Sequence, residues 1–181
     1  MQRRAAIASL CAALASASGL ALSAPASEYQ VKAVFLFNFS QFVAWPAAAF
    51  ARSDSPIVIC VLGRDPFGPD LDAVVSGERV GARSLVVHRY QDVQDVKDCH
   101  ILFIDRSEQD RLPAIMQALH GRSILTVSDI DDATRRGVMI NLVNESNHIR
   151  LKINVAAARE SGLTISSKLL RPAEIVGPGD S

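Results

Sequence analysis

Short apolar runs alternate with stretches of helical periodicity along most of the chain. The runs at residues 57–62, 85–88, 101–104 and 124–127 are continuous and mostly rich in β-branched residues, a pattern typical of buried parallel strands. Helices are predicted at residues 27–43, 67–75 and 109–119, where apolar residues recur at helical spacing. This alternation predicts an α/β fold in which helices flank a mostly parallel β-sheet.

The last third of the chain predicts a different local structure. Residues 138–143 and 148–153 alternate enough to form an antiparallel hairpin around the polar turn at 144–147. A helix over 154–160 should follow, and then a final helix from Ile165 to Ile175, interrupted at Pro172. The prediction is therefore one α/β domain at residues 27–175 with a mixed sheet, followed by a flexible tail at 176–181.

The first predicted helix is apolar on more than one face. Phe35, Phe37 and Phe39 add to the apolar surface that one amphipathic stripe would bury. Such a helix is either buried at the centre of the fold or paired with another protein surface, and the sequence leaves both alternatives open. The three phenylalanines are our candidates for contacts with a partner or a second copy.

The segment before this helix has the features of an export signal. A basic start at residues 1–4 precedes an Ala-rich apolar run at 5–22 and the small-residue triplet Ala24-Pro25-Ala26. This order predicts a signal peptide over 1–26 and a mature protein that is soluble in the periplasm. The alternative is a membrane-spanning helix, since the run is nearly long enough to cross a bilayer.

Composition narrows the possible functions. The 181 residues contain 19 basic and 19 acidic side chains, and the pI is near 6.9. Nucleic-acid binding is disfavoured because it requires a strong positive field.

Two cysteines remain after the predicted cleavage, Cys60 within a strand and Cys99 just before another. In an oxidising compartment this even number favours a disulfide, with two buried free thiols as the alternative.

The turn from Gly63 to Gly68 follows a predicted strand and precedes a helix, as a phosphate-binding loop does. No Lys-Ser or Lys-Thr pair follows it, and Asp65 within the turn and Asp70 just after it would repel phosphate. An ordinary turn is therefore favoured, although open α/β sheets bind ligands at this end of their strands. Arg64 and Asp65 are the candidate ligand residues.

No catalytic or metal-binding arrangement is recognisable. The four histidines lack the spacing of a zinc site, and no Gly-x-Ser-x-Gly sequence occurs. We therefore predict that the chain is not an enzyme and uses no cofactor.

Four blocks, in order, resemble the YfiR family of bacterial periplasmic proteins. They are YQVKAVFLFNF with FVAWP, ICVLG with DPFG, DCHILFI, and IRLKIN with AAR, GL and ISSKLL. The resemblance implies a compact α/β fold, redox-sensitive cysteines and a tendency to form homodimers.

The resemblance also implies a regulatory function without catalysis. The chain would repress an inner-membrane sensor, and the resemblance implies that this sensor is a diguanylate cyclase, which makes cyclic-di-GMP. An outer-membrane-linked partner would relieve the repression. The alternative from the residues themselves is a small-molecule binding module with a cleft at the carboxyl ends of the strands.

We expect the exported protein to begin near Ser27, because the cleavage triplet ends at Ala26. N-terminal sequencing of the periplasmic form tests this prediction. An intact chain beginning at Met1 in the membrane fraction would contradict it.

Overall fold

The computed structural model describes residues 27–177. The predicted signal peptide and residues 178–181 of the predicted tail lie outside this range. The α-helices are α1 (Glu28–Phe42), α2 (Pro69–Val75), α3 (Leu112–Leu119), α4 (Val155–Glu160) and α5 (Ser167–Leu170). Short 3₁₀ helices occupy Ala47–Ala49, Val93–Asp95, Arg106–Arg111 and Ala133–Arg136.

Most of the strands belong to one large sheet. In chain order the strands are β1 (Val43–Ala44), β2 (Ile57–Leu62), β3 (Arg79–Val80), β4 (Arg83–Tyr90), β5 (Ile101–Ile104), β6 (Leu125–Ser128), β7 (Ile140–Glu145), β8 (His148–Ile153), β9 (Thr164–Ile165) and β10 (Glu174–Ile175). The eight-stranded sheet has the order β10-β8-β7-β6-β5-β2-β4-β3, and β1 pairs with β9 separately.

The central strands β4, β2, β5, β6 and β7 are parallel, and β7 and β8 form an antiparallel hairpin. The predicted mixed, mostly parallel sheet flanked by helices is therefore confirmed. The hairpin turn is shorter than predicted. Only Ser146 and Asn147 lie outside the strands, and both have positive φ. A two-residue turn with positive φ is favoured in hairpins because its backbone matches the twist of the two strands.

Helices cover both faces of the sheet. Apolar residues of α1 and α2 pack on one face, with contributions from α4 and α5, and those of α3 pack on the other. Strand β2 is buried at all six positions, as its unbroken apolar sequence predicts.

The prediction of a final helix from Ile165 to Ile175 is wrong. Ile165 instead pairs with Val43, and residues 174–175 pair with β8, so only one helical turn remains between them. Ser166 caps this turn, and its N–H donates to the Phe42 carbonyl (2.8 Å), which fixes where the turn begins. Tertiary pairing thus overrides local helical periodicity. Val176, placed in the predicted tail, is buried.

A buried ion pair fixes the start of α1 to the carboxyl end of β6. Lys32 is fully buried, and its Nζ lies 2.6 Å from Oδ2 of Asp129. The Tyr29 hydroxyl donates to the same oxygen (3.0 Å), and Glu28 also pairs with Lys32. Arg106 Nε donates to the Asp129 backbone carbonyl (3.0 Å). We call Glu28, Tyr29, Lys32 and Asp129 the α1 anchor.

We expect Lys32→Met to lower the free energy of unfolding by about 3–5 kcal/mol, because it leaves the Asp129 carboxylate buried without its main counter-charge. Denaturant unfolding monitored by circular dichroism measures the change. Adding Asp129→Asn should restore much of the loss, since an amide oxygen can still accept from Tyr29 without carrying a charge.

Arg52→Met is the matched control for that measurement. Arg52 pairs with Asp54 at 3.0 Å on the surface, so its loss should cost less than about 1 kcal/mol. Equal losses for Lys32→Met and Arg52→Met would contradict a stabilising role for the α1 anchor.

Candidate functional site

The predicted ligand turn after β2 is held together by its own side chains. Asp65 Oδ1 accepts hydrogen bonds from the N–H groups of Phe67 (2.8 Å) and Gly68 (3.3 Å). Its Oδ2 accepts from Arg89 Nε (2.6 Å). Asp65 therefore holds the turn in shape, and its negative charge is paired with Arg89.

Arg89 ties this turn to α2. Its guanidinium also bonds both carboxylate oxygens of Asp72 and the Gly68 carbonyl. The hydrogen bond from Arg89 lowers the pKa of Asp72 below its usual value. The acidic groups of the turn are thus neutralised within the chain.

The crevice beside the turn is filled. Chain order reverses at β2, which has β4 on one side and β5 on the other, and open α/β sheets bind ligands at such a point. Here a Cβ on Gly63 would lie 2.7 Å from Ser107 Oγ and 2.8 Å from Glu108 Cγ. Ser107 Oγ also accepts from the Arg64 N–H (3.0 Å). Arg64 and Asp65 consequently form a closed turn, not the wall of an open cleft.

A hollow of about 360 Å³ lies at the opposite edge of the sheet, between the end of α3 and α4. The polar groups on its floor are engaged by the chain itself. Thr126 Oγ1 accepts from the Met139 N–H (3.0 Å), and Asn154 Oδ1 accepts from the Ala157 N–H (3.0 Å). Thr126 Oγ1 and Asn154 Oδ1 are therefore occupied, and His120, Arg122, Glu160 and Ser161 are the other polar residues of the lining.

The apolar residues of α1 divide into a fully buried set and a partly buried set. Ala33, Leu36 and Phe39 are fully buried, so Phe39 is unavailable to a partner and that candidate contact is corrected. Phe35 and Phe37 pack against the core but are only partly buried.

The outward side of α1 carries the exposed apolar surface. Val31 is 36% exposed and Val34 46% exposed, and in the described part of the chain only Ile175 joins them as a large exposed hydrophobic residue. The charged residues of α1 are Glu28 and Lys32, and both belong to the α1 anchor. The outward side of the helix is therefore an uncharged ridge.

Two shallow grooves border this ridge. One, of about 400 Å³, is lined by Gln30, Val31, Val34, Asp70, Ala73 and Val74. The other, of about 260 Å³, is lined by Glu28, Val31, Phe35, Asn144, Asn147, His148 and Ile149. We call the ridge with these grooves the α1 surface. Val74 and Ile149 come from distant elements, so sequence spacing did not reveal them.

Cys60 and Cys99 form a disulfide in the structure, as predicted. Their Cα atoms are 6.1 Å apart, because β2 and β5 are neighbouring strands. Cys60 is fully buried and Cys99 is 7% exposed. The bridge is therefore shielded from reductants while the chain is folded.

Among residues 27–177, no helix is long and apolar enough to cross a membrane. The same residues contain no group of three or more His, Cys, Asp or Glu side chains placed to hold a metal ion.

Comparison with known sequences supports a family assignment. The sequence profile described as YfiR/HmsC-like matches residues 29–174. No curated protein matches the chain significantly. The matched range includes α1, both cysteines and the hairpin.

We expect the unreduced protein to show no free thiol at Cys60 and Cys99 after denaturation, and two after reduction. Replacing both with alanine should lower the free energy of unfolding by about 4 kcal/mol, as the loop-entropy relation gives for a closed loop of this length. The reduced wild type is the control and should unfold at nearly the same denaturant concentration as the double variant. Two free thiols in the unreduced sample would contradict the prediction.

Proposed function

The chain belongs to the YfiR/HmsC-like family of periplasmic regulators, and on that premise we propose that it represses an inner-membrane signalling protein by binding its periplasmic domain. The proposed target is a diguanylate cyclase, so the output would be the level of cyclic-di-GMP. The chain acts through contact and not through catalysis.

The observation that carries this proposal is the α1 surface. Val31 and Val34 form an exposed apolar ridge without charge, and apolar patches of this kind mark interaction sites. Charged residues are depleted at the centres of protein interfaces, which fits a helix side whose lysine is buried and whose one exposed charge, Glu28, is paired with that lysine at the rim.

The same surface suits a homodimer. A ridge flanked by grooves is self-complementary about a twofold axis, and an uncharged ridge does not repel its own copy. We propose that a dimer formed in this way and the sensor complex compete for the α1 surface. An outer-membrane-linked antagonist would act by displacing the sensor.

We also propose that the repression responds to redox conditions or envelope stress. The disulfide joins β2 to the start of β5 but is buried, so a reductant reaches it only after local opening. Stress that loosens the fold would therefore precede reduction. The alternative of a small-molecule module has less support, because Ser107 and Glu108 fill the crevice where its cleft was expected.

We expect Val34→Ser to weaken binding to the sensor domain about tenfold, since full burial of a valine side chain contributes roughly 1.5–3 kcal/mol. The same change should leave stability within about 0.5 kcal/mol, because Val34 is 46% exposed. The measurement is cyclic-di-GMP in cells lacking the chain and complemented with each variant, beside thermal unfolding of the purified protein.

Ile175→Ser is the matched control, because Ile175 is 50% exposed and belongs to β10. It should restore repression as the wild type does, while Val34→Ser should leave cyclic-di-GMP high. Full repression by a stably folded Val34→Ser protein would exclude the α1 surface as the contact. Unchanged cyclic-di-GMP on loss of the whole chain would exclude the proposed target.

A further inference from the structure

His100 differs from the other histidines in its surroundings. The chain has four histidines, and His88, His120 and His148 are exposed, whereas His100 is only 6% exposed. His100 directly follows Cys99 and precedes β5, at the amino-terminal edge of the sheet.

Hydrogen bonds fix the protonation state of the His100 ring. Nδ1 lies 3.1 Å from the Val58 backbone nitrogen, whose N–H must donate, so Nδ1 is an acceptor. Nε2 lies 3.1 Å from the Ala49 carbonyl, which must accept, so Nε2 carries the proton. This pair of bonds is possible only for the neutral ring, because a second proton on Nδ1 would face the Val58 N–H.

The ring holds the segment that joins α1 to β2. Phe50 stacks on His100 with ring centroids 4.4 Å apart, and the Arg83 guanidinium lies 3.5 Å from the Phe50 ring centroid. Trp45 Nε1 donates to the His100 carbonyl (3.2 Å). Residues 45–50 are thus fastened to the sheet through contacts that converge on His100.

We propose that His100 is a proton-operated clasp. While its ring is neutral, it bonds β2 through the Val58 N–H and residues 45–50 through the Ala49 carbonyl. A proton on Nδ1 breaks the bond to Val58, and the ring then leaves the sheet together with Ala49 and the stacked Phe50. The clasp does not rest on the proposed function.

The charges around the ring favour the neutral form. Burial, together with the positive charge of Arg83 on β4, lowers the pKa of His100 below its usual value, against the hydrogen bond to Ala49 and the charge of Asp98. Lys97 and Arg122 line a hollow at the same edge and add positive charge.

The sign of the pH dependence follows from this lowered pKa. An unfolded histidine takes up its proton near pH 6.5, whereas the folded chain resists protonation until the pH is lower. Between these two pH values, the form in which residues 45–50 are released binds more protons than the closed form. The clasp is therefore fully effective above about pH 6.5 and weakens as the pH falls below it.

Release would affect the connection that follows α1 and β1. Residues 45–50 follow β1, which pairs with β9 directly after α1. Opening the clasp removes the contacts of the ring with β2, whereas the pairing of β1 with β9 and the α1 anchor continue to hold the two ends of the helix. The clasp therefore controls how firmly residues 45–50 are held on the sheet.

The test is hydrogen–deuterium exchange of peptides covering residues 45–50 at about pH 7.5 and about pH 5.5, corrected for intrinsic exchange. For the wild type, the equilibrium constant for release of residues 45–50 should rise by up to about tenfold from about pH 7.5 to about pH 5.5. Uptake of one proton by the released form changes this constant at most about tenfold for each pH unit below about 6.5. His100→Gln should abolish the rise, because an amide can accept from Val58 and donate to Ala49 but does not titrate.

His120→Gln is the matched control, since His120 is exposed, and it should keep the wild-type rise. A wild-type opening constant that does not change with pH overturns the proposal, and so does an equal rise in His100→Gln. If His100→Gln does not fold, ¹⁵N NMR of the wild-type ring decides. The Nε2–H tautomer should persist below about pH 6.5, and an ordinary titration at or above that value overturns the proposal.

Discussion

The position of α1 depends on one buried ion pair, Lys32 with Asp129. A fully buried lysine is tolerated only where its charge is met by acceptors, and here both Asp129 and Glu28 meet it. Those acceptors are at the carboxyl end of β6 and in the first turn of α1. Because removing either partner would leave a buried charge, the first two turns of α1 have one favourable position on the sheet.

This constraint decides which side of α1 faces outward. With Lys32 directed to Asp129, the buried stripe continues through Leu36 and Phe39, and the opposite stripe carries Val31 and Val34. The anchor also buries the charge of Lys32 and pairs it with Glu28, whose side chain stays 33% exposed at the start of the helix. An uncharged apolar ridge is therefore a consequence of how the helix is fastened.

Sequence patterns were informative where burial is uniform. The strands β2, β5 and β6 are buried at every position, and the runs that form β2 and β5 are apolar throughout, so these strands could be predicted closely. The two cysteines next to neighbouring strands indicated the bridge. The end of the chain was misread, because β9 and β10 are two-residue strands that exist only through pairing with distant residues. No local pattern contains that information.

The candidate site was only partly predictable, for a related reason. The helical period showed that α1 had too much apolar surface for one stripe, but it did not indicate that Lys32 is buried. Its burial shifts the inward stripe, so Phe39 belongs to the core and Val31 and Val34 face outward. The charge that pairs with Lys32 is 97 residues away in the chain, and only the fold brings the two together.

The two ends of α1 are held by chemically different contacts. The amino end is held by opposite charges, whereas the carboxyl end connects to a segment held by a histidine that must stay neutral. Glu28 resists protonation, because the hydrogen bond with Lys32 lowers its pKa, and His100 resists it because of burial. Mild acid titrates an unfolded histidine before an unfolded carboxylate, so acidification weakens the attachment of residues 45–50 before it weakens the α1 anchor. The α1 surface lies between these two attachments, and the pairing of β1 with β9 keeps the carboxyl end of α1 in place when residues 45–50 are released.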